Sequence, residues 1–191
     1  METILAICAG IGLAASCGFR VFVPLLAMGI AVHSGKLDPP GNGFDWVGTW
    51  PALVVFGAAT AAEIGAYFVP WLDHALDTIA SPAAVGAGTL SAAVFLPELH
   101  PAIKWSLALI AGGGAAGVIQ TGTVAARAIS GATTGGLGNP AVSTVESTTS
   151  IVLSILAILV PILAAVLVVA LIVLVVRKIA AWRRRRAPVP A

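Results

Sequence analysis

Charge is what this sequence has least of. Asp, Glu, Lys and Arg together make up 9% of its 191 residues, against roughly 25% in an ordinary soluble domain. That scarcity excludes a water-soluble globular chain, whose surface needs many more ionic groups. Cysteine is nearly absent as well: Cys8 and Cys17 share one apolar run without metal-type spacing. A disulfide framework or zinc ribbon is therefore excluded, and the two thiols are read as small packing residues. The N-terminus, Met1-Glu2-Thr3, carries no positive segment ahead of the first apolar run. A cleaved secretory signal is not expected, and that run stays in the mature fold.

What the sequence does have is hydrocarbon: hydrophobic residues form 59% of the chain. A bilayer crossing needs about 20 apolar residues, and five stretches qualify, at 4–32, 51–72, 82–96, 101–130 and 151–176. The expected fold is an all-α membrane protein, a polytopic helical bundle of about five apolar stretches. Residues 1–176 form a single transmembrane domain and 177–191 a basic tail. The stretches are uneven. At 1.5 Å per residue 82–96 reaches only about 22 Å, whereas 4–32, 101–130 and 151–176 exceed one untilted crossing, so some are tilted, broken or re-entrant.

Prolines punctuate the helix starts, at Trp50-Pro51, Ser81-Pro82, His100-Pro101 and Asn139-Pro140, where a first-turn residue has no amide bond to lose. Ser81 and Asn139 suit the preceding cap position. Residues 35–43 are turn chemistry and read as an aqueous loop. Trp46, Trp50, Trp71, Trp105 and Trp182 fall near stretch ends, as interfacial anchors do. The first and fourth stretches look broken, at 16–20 and between 112 and 122. The pattern Ala-Gly-x-Gly-x-Ala occurs at 9–14 and again at 111–116, compatible with an internal, inverted repeat of the kind that builds transporters with discontinuous helices. Small residues at four-residue spacing, Ala6, Gly10, Ala14 and Gly18, and Gly113 with Gly117, read as close helix contacts.

Arg177, Lys178 and the arginines at 183–186 concentrate basic charge at one end. By the positive-inside rule that end is cytoplasmic, where anionic lipid headgroups attract it. Nucleic acid is not an expected partner. The lipid bilayer is, and a homo-oligomer is compatible with the sequence.

The polar residues inside the apolar stretches are the candidates for chemistry. Arg20 sits near the centre of the first stretch, where an arginine costs about 2.5 to 3.5 kcal/mol, and Glu63 lies similarly deep in the second. One is expected to compensate the other, as a structural ion pair or across a polar cavity. Asp73 and Asp77, four residues apart, share a helix face and with Glu63 either form an acidic path or are simply solvated. His74 beside them adds only a weak metal or relay signal. Gln120 and Arg127 end the fourth stretch, which leads into Thr133-Thr134-Gly135-Gly136-Leu137-Gly138-Asn139-Pro140. Glycines there can turn successive amides toward one point before the positive end of the next helix, so an anion could sit near Arg127; the alternative is a plain connector. Glu146 either complements that helix end or faces the same cavity. No Walker or dinucleotide fingerprint is present, and Ser81, His74 and Asp77 bunch at one helix end without a nucleophile elbow. No enzyme activity, catalytic residue or cofactor is expected, and no metal is identified.

At Gly18-Phe19-Arg20-Val21-Phe22-Val23-Pro24, at Glu63 through Pro70-Trp71-Leu72-Asp73, at Asp77-Thr78-Ile79-Ala80-Ser81-Pro82 and at 133–140, the chain resembles the bacterial membrane family called domain of unknown function 4126. The resemblance covers nearly the whole chain and leaves out the tail after Val176. It implies a bacterial integral membrane protein with no activity to carry over; the expected location is the cytoplasmic (inner) membrane. It marks Arg20, Glu63, Asp73, Asp77, Gln120, Arg127, Asn139 and Glu146 as site residues without assigned roles. Buried charges, broken helices and a Gly-rich loop together favour a small transporter or channel for an ion or small polar solute. The rival is a non-transporting scaffold or assembly factor whose buried charges are structural.

Overall fold

The computed structural model describes the backbone of residues 2–38, 43–66 and 70–186, and the side chains of these apart from 70–77, 179 and 181–186. The described residues form helices without a strand: α1 Glu2–Cys17, α2 Phe22–His33, a 3-10 turn Asp45–Gly48, α3 Trp50–Ala66, α4 Pro70–Phe95, α5 Pro101–Leu107, α6 Gly114–Thr134, α7 Asn139–Leu159 and α8 Pro161–Arg186. The all-α membrane class is as the sequence predicts. Four segments are long and apolar enough to cross a bilayer: Thr78–Phe95, Pro101–Thr134, Asn139–Leu159 and Pro161–Lys178.

Three boundaries differ from the sequence reading. Pro82 does not start a helix; it lies inside α4, which begins at Pro70. Residues 101–134 are not broken. A π-helical segment, Ala108–Gly113, joins α5 to α6 as one continuous span, because its glycines let the wider turn lie flush against α4. Residues 151–176 are not one crossing: α7 ends at Leu159, Val160 leaves helical geometry, and Pro161 starts α8. The proline has no amide to continue the helix and presets the φ of a new first turn.

Directions follow from residue contacts. Gly10 packs on Phe95 and Gly88 on the carbonyl of Ala14, so α4 runs antiparallel to α1. Gly112 meets Gly88 and Ala92 while Gly117 meets Val85, so the span through α6 runs antiparallel to α4. Gly12 lies on Ala157, and the Ser150 hydroxyl donates to the Ser16 carbonyl, so α7 is antiparallel to α1. Gly12 also touches Ala164, and Gly122 lies against Val175, which sets α8 antiparallel to α7. The chain after α2 returns to the face where α1 begins: the ring centroids of Phe44 and Trp105, the latter near the start of α5, are 6.5 Å apart, and His33 stacks edge-on to Trp50. Helices α1 and α2 are thus a re-entrant hairpin whose tip, at 18–21, points into the bundle. Helix α3, a shorter apolar helix, leads from that face toward the other; with α4, α5–α6, α7 and α8 alternating in direction after it, the start of α1 and the end of α8 lie on opposite faces.

The close approaches depend on missing side chains, as lipid-embedded helix packing does. A Cβ at Gly112 would overlap Ala92 and the Gly88 carbonyl, and one at Gly18 would stand 2.5 Å from the Ala116 carbonyl. The matched segments 9–14 and 111–116 both supply such contacts, yet both run in the same sense, so this pair of segments is not related by inversion. Gly35, Gly43, Gly135 and Gly136 have positive φ, the conformation glycine tolerates without penalty.

Reporter fusions at the N- and C-termini are expected to read opposite compartments; the same compartment for both would contradict the re-entrant hairpin. In thermal melts in detergent, Gly112→Ala is expected to destabilise by about 1–3 kcal/mol through overpacking. Gly114→Ala, where a Cβ meets open space, should instead stabilise by up to about 1 kcal/mol.

Candidate functional site

The tip of the re-entrant hairpin places polar backbone inside the apolar layer. The last turn of α1 tightens, with the Gly18 amide donating to Ala15 and those of Phe19 and Arg20 to Ser16. The next two amides open α2 and have no carbonyl of a preceding turn to bond. Glu63, on the following antiparallel helix, takes both: Val21 N–H donates to Oε1 at 2.8 Å and Phe22 N–H to Oε2 at 3.1 Å. A carboxylate there also meets the positive end of the α2 dipole. Glu63 is therefore the cap of a helix that starts inside the bilayer, a role the simple Arg20–Glu63 pairing did not foresee.

Arg20 is 1% exposed and reaches across to α7. Its Nε donates to Ser147 Oγ at 3.0 Å, its Nη2 to the Ser143 carbonyl at 2.9 Å and to the Ser143 hydroxyl, and Nη2 stands 3.8 Å from Glu146 Oε2. Glu146 is held in turn by Arg127, whose Nε donates to both carboxylate oxygens at 3.2 and 3.1 Å while Nη2 pairs with Oε2. Two guanidiniums and two carboxylates thus occupy one layer, all of them buried. Two like charges alone would repel here; alternating signs and serine oxygens compensate them where hydrocarbon would not.

The sequence candidates separate into three groups. Arg20, Glu63, Arg127 and Glu146 converge in this layer. Gln120, Thr123 and Arg127 recur at three- and four-residue spacing on α6 and are buried together, so Gln120 extends the polar face toward the contact between Gly18 and Ile119. Thr133, Thr134 and Gly135 are exposed, with Gly136 and Asn139 half-buried, in the turn joining α6 to α7. There the Gly138 amide donates to Thr134 Oγ1 at 2.9 Å, that of Leu137 to the Thr134 carbonyl, and that of Asn139 to Gly136. These amides serve the turn, and Asn139 is the first residue of α7, with Gly138 at the cap position. Asp73 and Asp77 lie on the first turns of α4, and with His74 their side chains fall outside the described residues. Among the described residues no three His, Cys, Asp or Glu gather to hold a metal ion.

Sequence reasoning missed the serines. Ser143, Ser147, Ser150 and Ser154 repeat every three or four residues along α7: Ser143 accepts from Arg20, Ser147 and Ser154 donate to carbonyls one turn back, as Ser16 does on α1, and Ser150 donates across the α1–α7 seam to the Ser16 carbonyl. The hydroxyl periodicity in an apolar helix was the available signal. Beside the layer, an open groove of about 450 Å³ between α6, α7 and α8 includes Glu146 and Thr123 in an otherwise apolar lining.

These features define the class: a polytopic α-helical membrane protein with a re-entrant hairpin and an intramembrane charge layer. The chain belongs to the family described as domain of unknown function (DUF4126), whose model matches residues 7–181. The match runs past Val176 and takes in Arg177 and Lys178, leaving out the arginines at 183–186. No curated protein and no solved structure matches the chain.

Removing one member of the layer strands its partner. Arg127→Met and Glu146→Leu are each expected to cost about 3–5 kcal/mol of stability. The double variant should lose clearly less than the sum, read as a double-mutant cycle in chemical denaturation.

Proposed function

We propose that the protein is a small transporter or channel for an ion or small polar solute, acting in a bacterial cytoplasmic membrane with its basic C-terminus inside. The observation that carries this reading is the charge layer at the tip of a re-entrant hairpin. Apolar packing would hold these helices at lower desolvation cost than four buried charges do, so charges retained in the membrane favour a role in moving polar species. A helix starting within the bilayer, capped by Glu63, is the construction from which transporters build midplane sites. The reading needs no catalytic step and no cofactor.

One observation favours the second reading, a non-transporting scaffold: Arg20, Arg127 and Glu146 are each at most 5% exposed, as a sealed structural network would be. Flux into liposomes separates the two. Wild-type vesicles are expected to pass a small ion or solute, and Arg20→Gln and Glu63→Gln, still folded by thermal melt, to pass it about tenfold more slowly, the factor about 1.4 kcal/mol produces. No flux of any tested solute through the wild type, with both variants merely unfolding, would establish the scaffold instead.

A further inference from the structure

The groove between α6, α7 and α8 has a chemistry of its own. Gly122 and Ala126 on α6, Val142 and Val145 on α7, and Leu171 and Val175 on α8 make it almost wholly apolar along its length. Glu146 in its lining is clamped by Arg127, so an occupant there meets a neutral pair. Along α8 the groove-lining positions are 171 and 175, and the same stripe next reaches Lys178, seven and three residues on. Lys178 is exposed and lies toward the end of α8 where basic residues accumulate. An apolar slot with a cation at one end matches an amphiphile with an anionic head.

We propose that this groove holds one acyl chain of an anionic phospholipid, with Lys178 meeting the headgroup phosphate. The acyl chain closes the open side of the bundle beside the Arg127–Glu146 pair, and the lysine selects the leaflet and the lipid charge. This is a specific site, separate from the general attraction of the arginine tail for a negative surface. It stands whether the protein transports or not.

The test is native mass spectrometry of the full-length protein with dioleoylphosphatidylglycerol or dioleoylphosphatidylcholine, counting the lipid retained as detergent is stripped. One phosphatidylglycerol should remain where phosphatidylcholine does not. Lys178→Gln should weaken retention about fivefold, the worth of one basic residue near an anionic surface. Ala126→Leu, which fills the groove, should abolish retention. Gly122→Ala places its methyl 3.4 Å from Val175, an ordinary contact that the fold accommodates, and should reduce it. Changing the four arginines at 183–186 to Gln should leave the bound lipid in place. Equal retention of both lipids, retention by Ala126→Leu, or loss in the tail variant overturns the proposal. So does a lipid-free dimer that Ala126→Leu disrupts, since a second copy would then own the groove.

Discussion

A helix that begins inside a bilayer exposes amides that no water can reach, and the rest of this structure is arranged around that constraint. The α1–α2 hairpin turns back at 18–21, so the Val21 and Phe22 amides lie in the apolar layer and need an acceptor within the protein. Glu63 supplies both oxygens. Its charge is a gain at a helix N-terminus and a cost in hydrocarbon. Placing Arg20 at the same tip, and Glu146 and Arg127 next to it, makes a layer in which each sign has the other nearby. Local backbone geometry and long-range electrostatics are therefore one problem with one solution.

That layer would not close without small residues. Arg20 can reach Ser143 and Ser147 only because α1 and α7 approach closely, which Gly12 on Ala157 and the bond between Ser150 and Ser16 allow. Gly18 likewise lets α6 lie against the hairpin tip, through Ala116 and Ile119. Glycine thus contributes indirectly to the electrostatics: it sets interhelical distance, and distance decides which charges meet. The long α8 contributes little to this layer and faces mainly outward, which leaves the groove on its inner side as a surface for lipid.

The class of protein, the break at residues 16–20 and the placing of Arg20, Glu63, Arg127 and Glu146 among apolar helices were legible in the sequence. Arginine and glutamate inside apolar runs are costly, so each signals a partner. The partners themselves were not legible. Arg20 and Glu63 share the layer, but Glu63 also caps α2 and Arg20 reaches α7, assignments that depend on which helices are neighbours. The Gly-rich segment at 133–139 could be read as an anion-binding loop or as a plain connector, because its composition suits both; only the hydrogen bonds show the Leu137, Gly138 and Asn139 amides serving the turn. By sequence Pro82 starts a helix and Pro161 lies within one apolar stretch; the structure has them the other way round, because tertiary packing decides whether a proline's missing bond is tolerated.

The sequence alone determined the solvent this chain folds in and the helical class that follows. With so few charges and such long apolar runs the backbone must satisfy itself internally, and helices do that without reference to any neighbour. Tertiary structure alone decided that α1 and α2 double back, that α7 and α8 fold against each other, and that four charges spread over 126 positions of sequence, from Arg20 to Glu146, make one layer. Those outcomes rest on helix order and separation in space, and one-dimensional periodicity specifies which face of a helix is polar but not which helix it will meet.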